Sequence, residues 1–404
     1  MKILIITPEP ATPLKPRVFR FAQILASHHE VTVASIEEIP GRTVSSPIKT
    51  FAQKILQEKS IKSVILKVDW YSSYRWIPKN LLSGFPARVA LYNADSLKSQ
   101  AAKLIERLAP DIVHIDRART FPLLENHPIP KIVDFTDPVG WLTNRIALES
   151  HGLKARLLAL EAGRIWQYES RLLLSGVQGI CASELAVRVF KRRLGDEIAM
   201  QMVPVPMQPK LTDPKPIHLN TGHPRLCFSG NLNYPPNVYG INDFVMKHWR
   251  AIRNAIPTAS LMIVGSRPTR SVLALQEFEG ITLYCNVPDV RSYHFASDIS
   301  IAPLQTCAGF SNKIVDAATD ARLPVIASPM TVIGLPRSIA KQVLIAKTTD
   351  DWIYCIQKLR EDTAFRENYR NRLLKTIQME LNEDNIRHIL EDIYRERIAR
   401  PSSE

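Results

Sequence analysis

Short apolar runs rich in Val and Ile alternate along this chain with longer segments whose apolar residues recur every three to four positions. The first half offers KILIIT (2–7), EVTVASI (30–36), SVILKVDW (63–70), DIVHIDRA (111–118), KIVDFTD (131–137), VQGICAS (177–183) and MQMVPVP (200–206) as strands. Runs of this kind suit strands buried on both faces of a sheet. Between them, RVFRFAQILASHH (17–29), ADSLKSQAAKLIERLA (94–109) and ARLLALEAGRIWQYESRLLLS (155–175) carry the helical period. Strand and helix in alternation predict α/β layers on a parallel sheet.

The pattern then breaks. Residues 203–224, VPVPMQPKLTDPKPIHLNTGHP, are dense in proline and keep neither period, as expected of a semi-rigid linker. A second series follows in RLCFSG (225–230), SLMIVG (260–265), ITLYC (281–285), DISIAPL (298–304), PVIAS (324–328) and QVLIA (342–346), and NIRHILEDIYRERIA (385–399) closes the chain as a helix. The fold expected is two Rossmann-like α/β domains in tandem. The boundaries are 1–205 for the first domain, 206–224 for the linker, 225–380 for the second domain and 381–404 for a terminal helix. The length of 404 residues agrees with more than one core.

Composition changes this picture little. The apolar and charged shares, 45% and 23%, are those of an ordinary globular chain. Met1–Thr7 is too short for a signal peptide, and no segment approaches a membrane span. A cytoplasmic location is therefore expected, with the inner face of the membrane as the alternative. Five scattered cysteines without a CxxC pair argue against a disulfide framework and against zinc. The net charge of +13 is uneven: residues 1–210 hold 29 Lys and Arg against 19 Asp and Glu. Without clustered cations, interleaved aromatics or a known module, nucleic acid is not expected. A membrane surface or a phosphate-bearing acceptor fits the basic half better. KNLLSGFPARVALY (79–92), with Leu81, Leu82 and Phe85 among basic residues, is a candidate membrane contact, or else an ordinary packed segment.

The densest chemistry lies in GFSNKIVDAATDARLPVIASP (309–329). Gly309, Phe310, Ser311 and Asn312 lead into a helix whose free N–H groups and partial positive charge suit a phosphate. Lys313 adds a full charge, and Asp316, one turn along, reaches for a sugar hydroxyl. Gly230 and Asn231 end the first strand of the second domain, where a glycine lets phosphate approach the backbone. Arg267 follows the strand LMIVG, at the end where parallel sheets bind ligands.

FSGNLNYPPNV (228–238), LMIVGSRP (261–268), VPDVRSYHFASDISIAPL (287–304) and GFSNKIVDAATDARLPVIAS (309–328) together resemble the family-four glycosyltransferases. The likeness is greater still to the sugar transferases associated with bacterial exopolysaccharide systems. VDFTDPVGW (133–141) and the pattern of Glu161, Arg164, Tyr168 and Glu169 extend it more loosely into the first half. The resemblance implies a GT-B fold with an interdomain cleft and a last helix returning to the N-terminal domain. It implies that the C-terminal domain holds a nucleotide diphosphate sugar, with Asp316 on the ribose and Val287 and Pro288 beside the base. It further implies a retaining, hexosyltransferase type of reaction, with a glycan or lipid-linked acceptor and no metal or other cofactor. Lys313 and the amides of residues 309–312 would then meet the charge on the departing diphosphate.

The chain also departs from that family. Ala308 stands where many members carry a Glu, and PEPATPLKPR (8–17) replaces the glycine-rich loop after the first strand. Lys15, Arg17 and Arg20 could supply charge there instead. For the acceptor proton the candidates are His114, Asp134 and Asp137, with a core histidine as the other reading of His114 and a turn role as that of Asp134. A degenerate binding protein, and an epimerase or hydrolase on the same fold, are the alternatives to a transferase.

Overall fold

The computed structural model describes residues 1–12, 16–37, 46–68, 82–148, 150–207, 214, 217–219, 221–287, 289–306 and 309–400. Lys15, Pro288, Cys307, Ala308 and much of the proline-rich stretch fall outside them. The chain divides into two compact units, Met1–Pro206 with Glu383–Glu404, and Met207–Asn382.

The first unit is built on a parallel sheet in the order β3-β2-β1-β4-β5-β6-β7. Its strands are β1 (Lys2–Thr7), β2 (Glu30–Ile36), β3 (Lys62–Leu66), β4 (Ile112–Asp116), β5 (Lys131–Thr136), β6 (Gln178–Cys181) and β7 (Met200–Met202). The central strands β1, β2 and β4 are buried almost throughout, which is why they read as unbroken apolar runs rather than alternating ones. β3 is shorter than the run 63–70 predicts, and its edge position leaves it largely exposed. β7 is likewise only Met200–Met202; Val203 and Val205 are buried beyond it. Trp166 stacks on Phe190 at 5.5 Å, and Phe135 meets Phe190 edge-on at 5.3 Å.

The helix Glu383–Ala399 belongs to this unit although it ends the chain. It packs on helix Pro16–Ala26 and on β5. Ile386, Leu390, Ile393 and Tyr394 are buried there, each contributing about 1.5–3 kcal/mol of apolar burial. Glu391 fixes the register, accepting from Arg387 at 2.7 Å and lying 2.9 Å from His29 Nε2.

The second unit has the parallel order β10-β9-β8-β11-β12-β13. Its strands are β8 (Arg225–Asn231), β9 (Ser260–Ser266), β10 (Ile281–Cys285), β11 (Ile299–Ala302), β12 (Val325–Ala327) and β13 (Leu344–Ile345). Gly230 and Gly265 are partners across β8 and β9. A Cβ on Gly265 would lie 1.8 Å from the Gly230 carbonyl oxygen, so only glycine permits this approach. Phe244 packs edge-on against Trp352 at 5.0 Å, and Tyr369 donates from its hydroxyl to the Val325 carbonyl at 2.7 Å. Among the described residues, no helix is long and apolar enough to cross a membrane.

Candidate active site

In each unit the strand order reverses beside the first strand, between β1 and β4 and between β8 and β11. Ligands of open parallel sheets bind outside the carboxyl ends of the strands at such a point. In the second unit, Gly230, the last residue but one of β8, has a φ of 154°, a conformation close to glycine-only. A Cβ there would meet Asn237 Nδ2 at 2.8 Å and Lys313 Nζ at 3.3 Å. Lys313 Nζ donates to Asn237 Oδ1 at 2.8 Å, and Asn237 Nδ2 donates to the Asn231 carbonyl at 2.9 Å. The ammonium also sits 4.7 Å from the Phe228 ring centre. Gly230, Asn231 and Lys313 are thus brought together by Asn237, which the sequence reading did not single out. Asn237 stands in the first turn of helix Pro235–Phe244, behind two prolines at its start, where proline loses no needed N–H.

Helix Asn312–Asp320 opens beside this cluster. Ser311 occupies its N-cap without making a capping bond. Ser311 Oγ and Asn312 Oδ1 are both buried with no hydrogen-bond partner. Unsatisfied buried oxygens are rare in folded proteins and call for an explanation; a ligand at the helix N-terminus supplies one. Gly309 leads into this turn with its carbonyl against Gly334, and Phe310 beside it is half-buried. Asp316 lies half-buried one turn beyond Lys313.

The loops after β9 and β10 are tied together. Arg267 N–H donates to Asn286 Oδ1 at 3.1 Å, and Asn286 N–H donates to the Gly265 carbonyl at 2.7 Å. Arg267 and Asn286 both have left-handed backbones, with φ of 55° and 56°, and Arg267 is exposed. Val287 packs on the apolar cluster of Cys227, Met262 and Val264, which anchors the segment leading to Pro288. Behind β8, His294 bridges Ser229 Oγ at 3.0 Å and Asp320 at 3.3 Å; the histidine is buried and holds the strand end and the helix together.

In the first unit, the three acceptor-side candidates have different surroundings. His114 is fully enclosed, with Nδ1 2.7 Å from the Tyr394 hydroxyl and its ring 5.9 Å from that of Phe21. Asp134 is also fully buried and accepts from Arg17 Nε at 2.5 Å. Burial alone pushes its carboxyl up, but the Arg17 guanidinium and neighbouring His114 hold it at about 2. Arg17 is therefore committed to Asp134 and to the Val203 carbonyl, and Arg20 donates to the Pro206 carbonyl. Arg17 and Arg20, which the sequence offered as charge in place of the glycine-rich loop, both face into the unit from helix Pro16–Ala26.

Asp137 differs from both. It follows a three-residue turn in which its N–H donates to the Phe135 carbonyl at 2.7 Å, with Thr136 between them at a φ of 62°. A β-branched residue rarely adopts that conformation. The register of β5 on β6 shifts at the same place. Asp137 Oδ1 is enclosed without a hydrogen-bond partner. Burial pushes its carboxyl up to about 6, against the pull of Arg17 and Arg117. Arg117, at the end of β4, is itself left-handed with a φ of 65°, its N–H donating to the Asp134 carbonyl at 2.7 Å.

Glu169, the last residue of the Glu161 to Glu169 pattern, supports the segment after this turn. Glu169, buried, accepts from the N–H groups of Val139 at 3.0 Å and Gly140 at 3.2 Å, capping helix Val139–Leu148 two residues beyond Asp137. Tyr168 donates to the Ala118 carbonyl at 3.2 Å. Burial pushes Glu169 up to about 8 despite the two amides. The folded state then binds more protons than the unfolded one, so stability falls as pH rises from 4.5 to about 8. Urea unfolding across this range is expected to show that fall, by a few kcal/mol at most. In Glu169→Gln it should be absent, with a start about 1 kcal/mol lower at acid pH because one amide loses its acceptor.

Among the described residues, no group of three or more His, Cys, Asp or Glu is placed to hold a metal ion. Cys181, Cys227 and Cys355 are buried free thiols. Burial raises all three, the first two to about 12, so they are packing residues rather than nucleophiles.

Residues 223–362 match the family described as glycosyl transferases group 1. No curated protein matches the chain. Among solved structures, the chain is similar to sucrose-phosphate synthase from Thermosynechococcus elongatus, at 13% identity and a TM-score of 0.66 over 98% of this chain and 99% of that one. It is similar to a glycosyltransferase from Rickettsia africae, at 12% identity and a TM-score of 0.64 over 98% of each. HepE of Anabaena in complex with UDP-glucose aligns at 11% identity and a TM-score of 0.63, over 98% of this chain and all of that one. The chain has the GT-B fold, and its residues 223–362 carry the segment shared by the group 1 glycosyl transferases.

Proposed function

We propose that this protein is a glycosyltransferase that moves a hexose from a nucleotide diphosphate sugar to a glycan or lipid-linked acceptor. The observation that carries the reading is the convergence of Gly230, Asn237, Lys313 and the open N-terminus of helix Asn312–Asp320 at the switch point of the second unit. These residues fall within the segment that matches group 1 glycosyl transferases.

In this reading the diphosphate lies against Gly230 and the helix N-terminus. Lys313, Ser311 Oγ and the amides at residues 309–312 meet the negative charge that builds as the anomeric bond breaks, without recourse to a metal. Asp316 and Arg267 contact the sugar and phosphate portions, and the Val287–Pro288 segment flanks the base. Asp137 takes the acceptor proton; His114 and Asp134 support its strand from inside the sheet. A retaining outcome and a role in exopolysaccharide synthesis belong to the same proposal, on the strength of the sequence resemblance.

The test is thermal stabilisation of the protein by UDP, GDP, ADP and their sugars. Saturation at about one hundred times the dissociation constant adds roughly 2.7 kcal/mol. A shift with one base and its sugars identifies the donor, and no shift with any of them overturns the reading.

A further inference from the structure

Two neighbouring segments of the first unit leave large apolar side chains in solvent. Helix Val139–Leu148 and helix Gly152–Leu174 pack against each other as a hairpin. Its root is where Gly140 touches the Trp166 backbone. Its far end exposes Leu148 by 77%, Leu153 by 72%, Leu157 by 58% and Leu160 by 57%. Leu153, Leu157 and Leu160 follow one another at four and three residues, so they form one stripe along the helix. The second segment lies beside that stripe. Arg88 N–H donates to Glu161 at 3.4 Å, and Phe85 packs on Tyr168 with ring centres 6.0 Å apart. This corrects part of the sequence reading of 79–92, since Phe85 is turned inward, while Leu82 is 90% exposed. Leu81 falls outside the described residues.

Charge says what such a surface fits. Arg145, which lies 5.3 Å over the Trp141 ring, Lys154 and Arg156 stand among the leucines in sequence, against the carboxylates Glu149 and Glu161 between residues 145 and 161. The surrounding half of the chain, residues 1–210, is basic by ten charges. A leucine stripe edged by Lys and Arg is the composition that settles into the headgroup region of an anionic bilayer. A soluble protein partner would call for complementary carboxylates on its own surface but not for a run of long aliphatic side chains flanked by cations that can reach outward from them. We infer that the tip of this hairpin docks the protein on an anionic lipid surface. The inference does not depend on the donor reading, because the readout needs no sugar transfer.

The experiment is co-sedimentation of the full chain with phosphatidylcholine vesicles, with and without phosphatidylglycerol. Binding is expected only with the anionic lipid, and to weaken as salt rises. The double variant Leu153→Ser/Leu157→Ser should lose roughly tenfold or more in partitioning, since two leucines no longer enter the interface. Lys154→Ala and Arg156→Ala should each lose roughly fivefold at low salt. All of these side chains are exposed, so the melting temperature and any nucleotide-induced shift should stay as in the parent protein. Equal binding to both kinds of vesicle, no binding to either, or leucine variants that bind like the parent would each overturn the inference. So would a leucine-dependent dimer that sediments with neither lipid, which would assign the face to a second copy of the chain.

Discussion

Asp137→Asn is expected to lower kcat by about 10²–10⁴-fold, the range for losing a positioned general base. The carboxyl stands near 6 because burial raises it, which places it well for taking a proton near neutral pH. In the parent enzyme kcat/KM should rise with pH through about 6 as Asp137 ionises, and the Asn variant should show a flat, low profile. Stability should move the other way. A buried carboxyl with a raised value costs stability once it is ionised, so at pH 7 the Asn variant should be more stable by about 1–2 kcal/mol, allowing for partial exposure. Asp134→Asn provides the contrast. There the Arg17 guanidinium would lose a partner bound at 2.5 Å in a fully buried site, and unfolding should cost about 3–5 kcal/mol less. An Asp137→Asn variant of unchanged activity would remove Asp137 from the mechanism.

Lys313→Ala is expected to reduce kcat/KM by about 10²–10³-fold, the loss for removing one charge-stabilising donor from a dry site. Part should appear in donor affinity and part in kcat, because the ammonium meets charge already on the diphosphate and more of it in the transition state. Lys313→Arg should recover some donor binding but less of kcat, since a planar fork cannot take the same place between Asn237 and the Phe228 ring. The Ala variant leaves Asn237 Oδ1 without its donor, a structural cost of about 1–3 kcal/mol. A calorimetric scan alongside the kinetics separates the two effects: a loss of rate no larger than that fall in stability explains would argue against a donor role.

The helix start at residues 309–316 was legible in the sequence because its parts are local. A strand, a loop and a helix start lie within a few residues of one another, and the residue types there have few other uses in combination. Asn237 escaped notice because its meaning lies in Lys313, 76 residues away. The acceptor side was less legible for the same reason. His114 reads as a catalytic candidate until Tyr394, 280 residues later, is seen closing over it. Arg17 reads as charge in place of the glycine-rich loop until its partner 117 residues on is known. Backbone strain left no mark at all. Thr136, Arg117, Arg267 and Asn286 take left-handed conformations at the carboxyl ends of strands without the glycine that would announce them. The strand ends were misjudged where edge position and proline set the limits, as in β3, β7 and β13.

The placement of helix Glu383–Ala399 has a consequence for biosynthesis. A ribosome releases the first 206 residues long before the 22 that complete their unit. Until then the pocket that receives Tyr394 stands open, with His114 and Phe21 uncovered and His29 lacking Glu391. The intervening unit is complete once Asn382 is made and can settle first. The N-terminal part of the nascent chain is therefore the last to mature. A stop codon shortly before Glu383 would leave every strand of both sheets but take from the first unit the helix that covers His114.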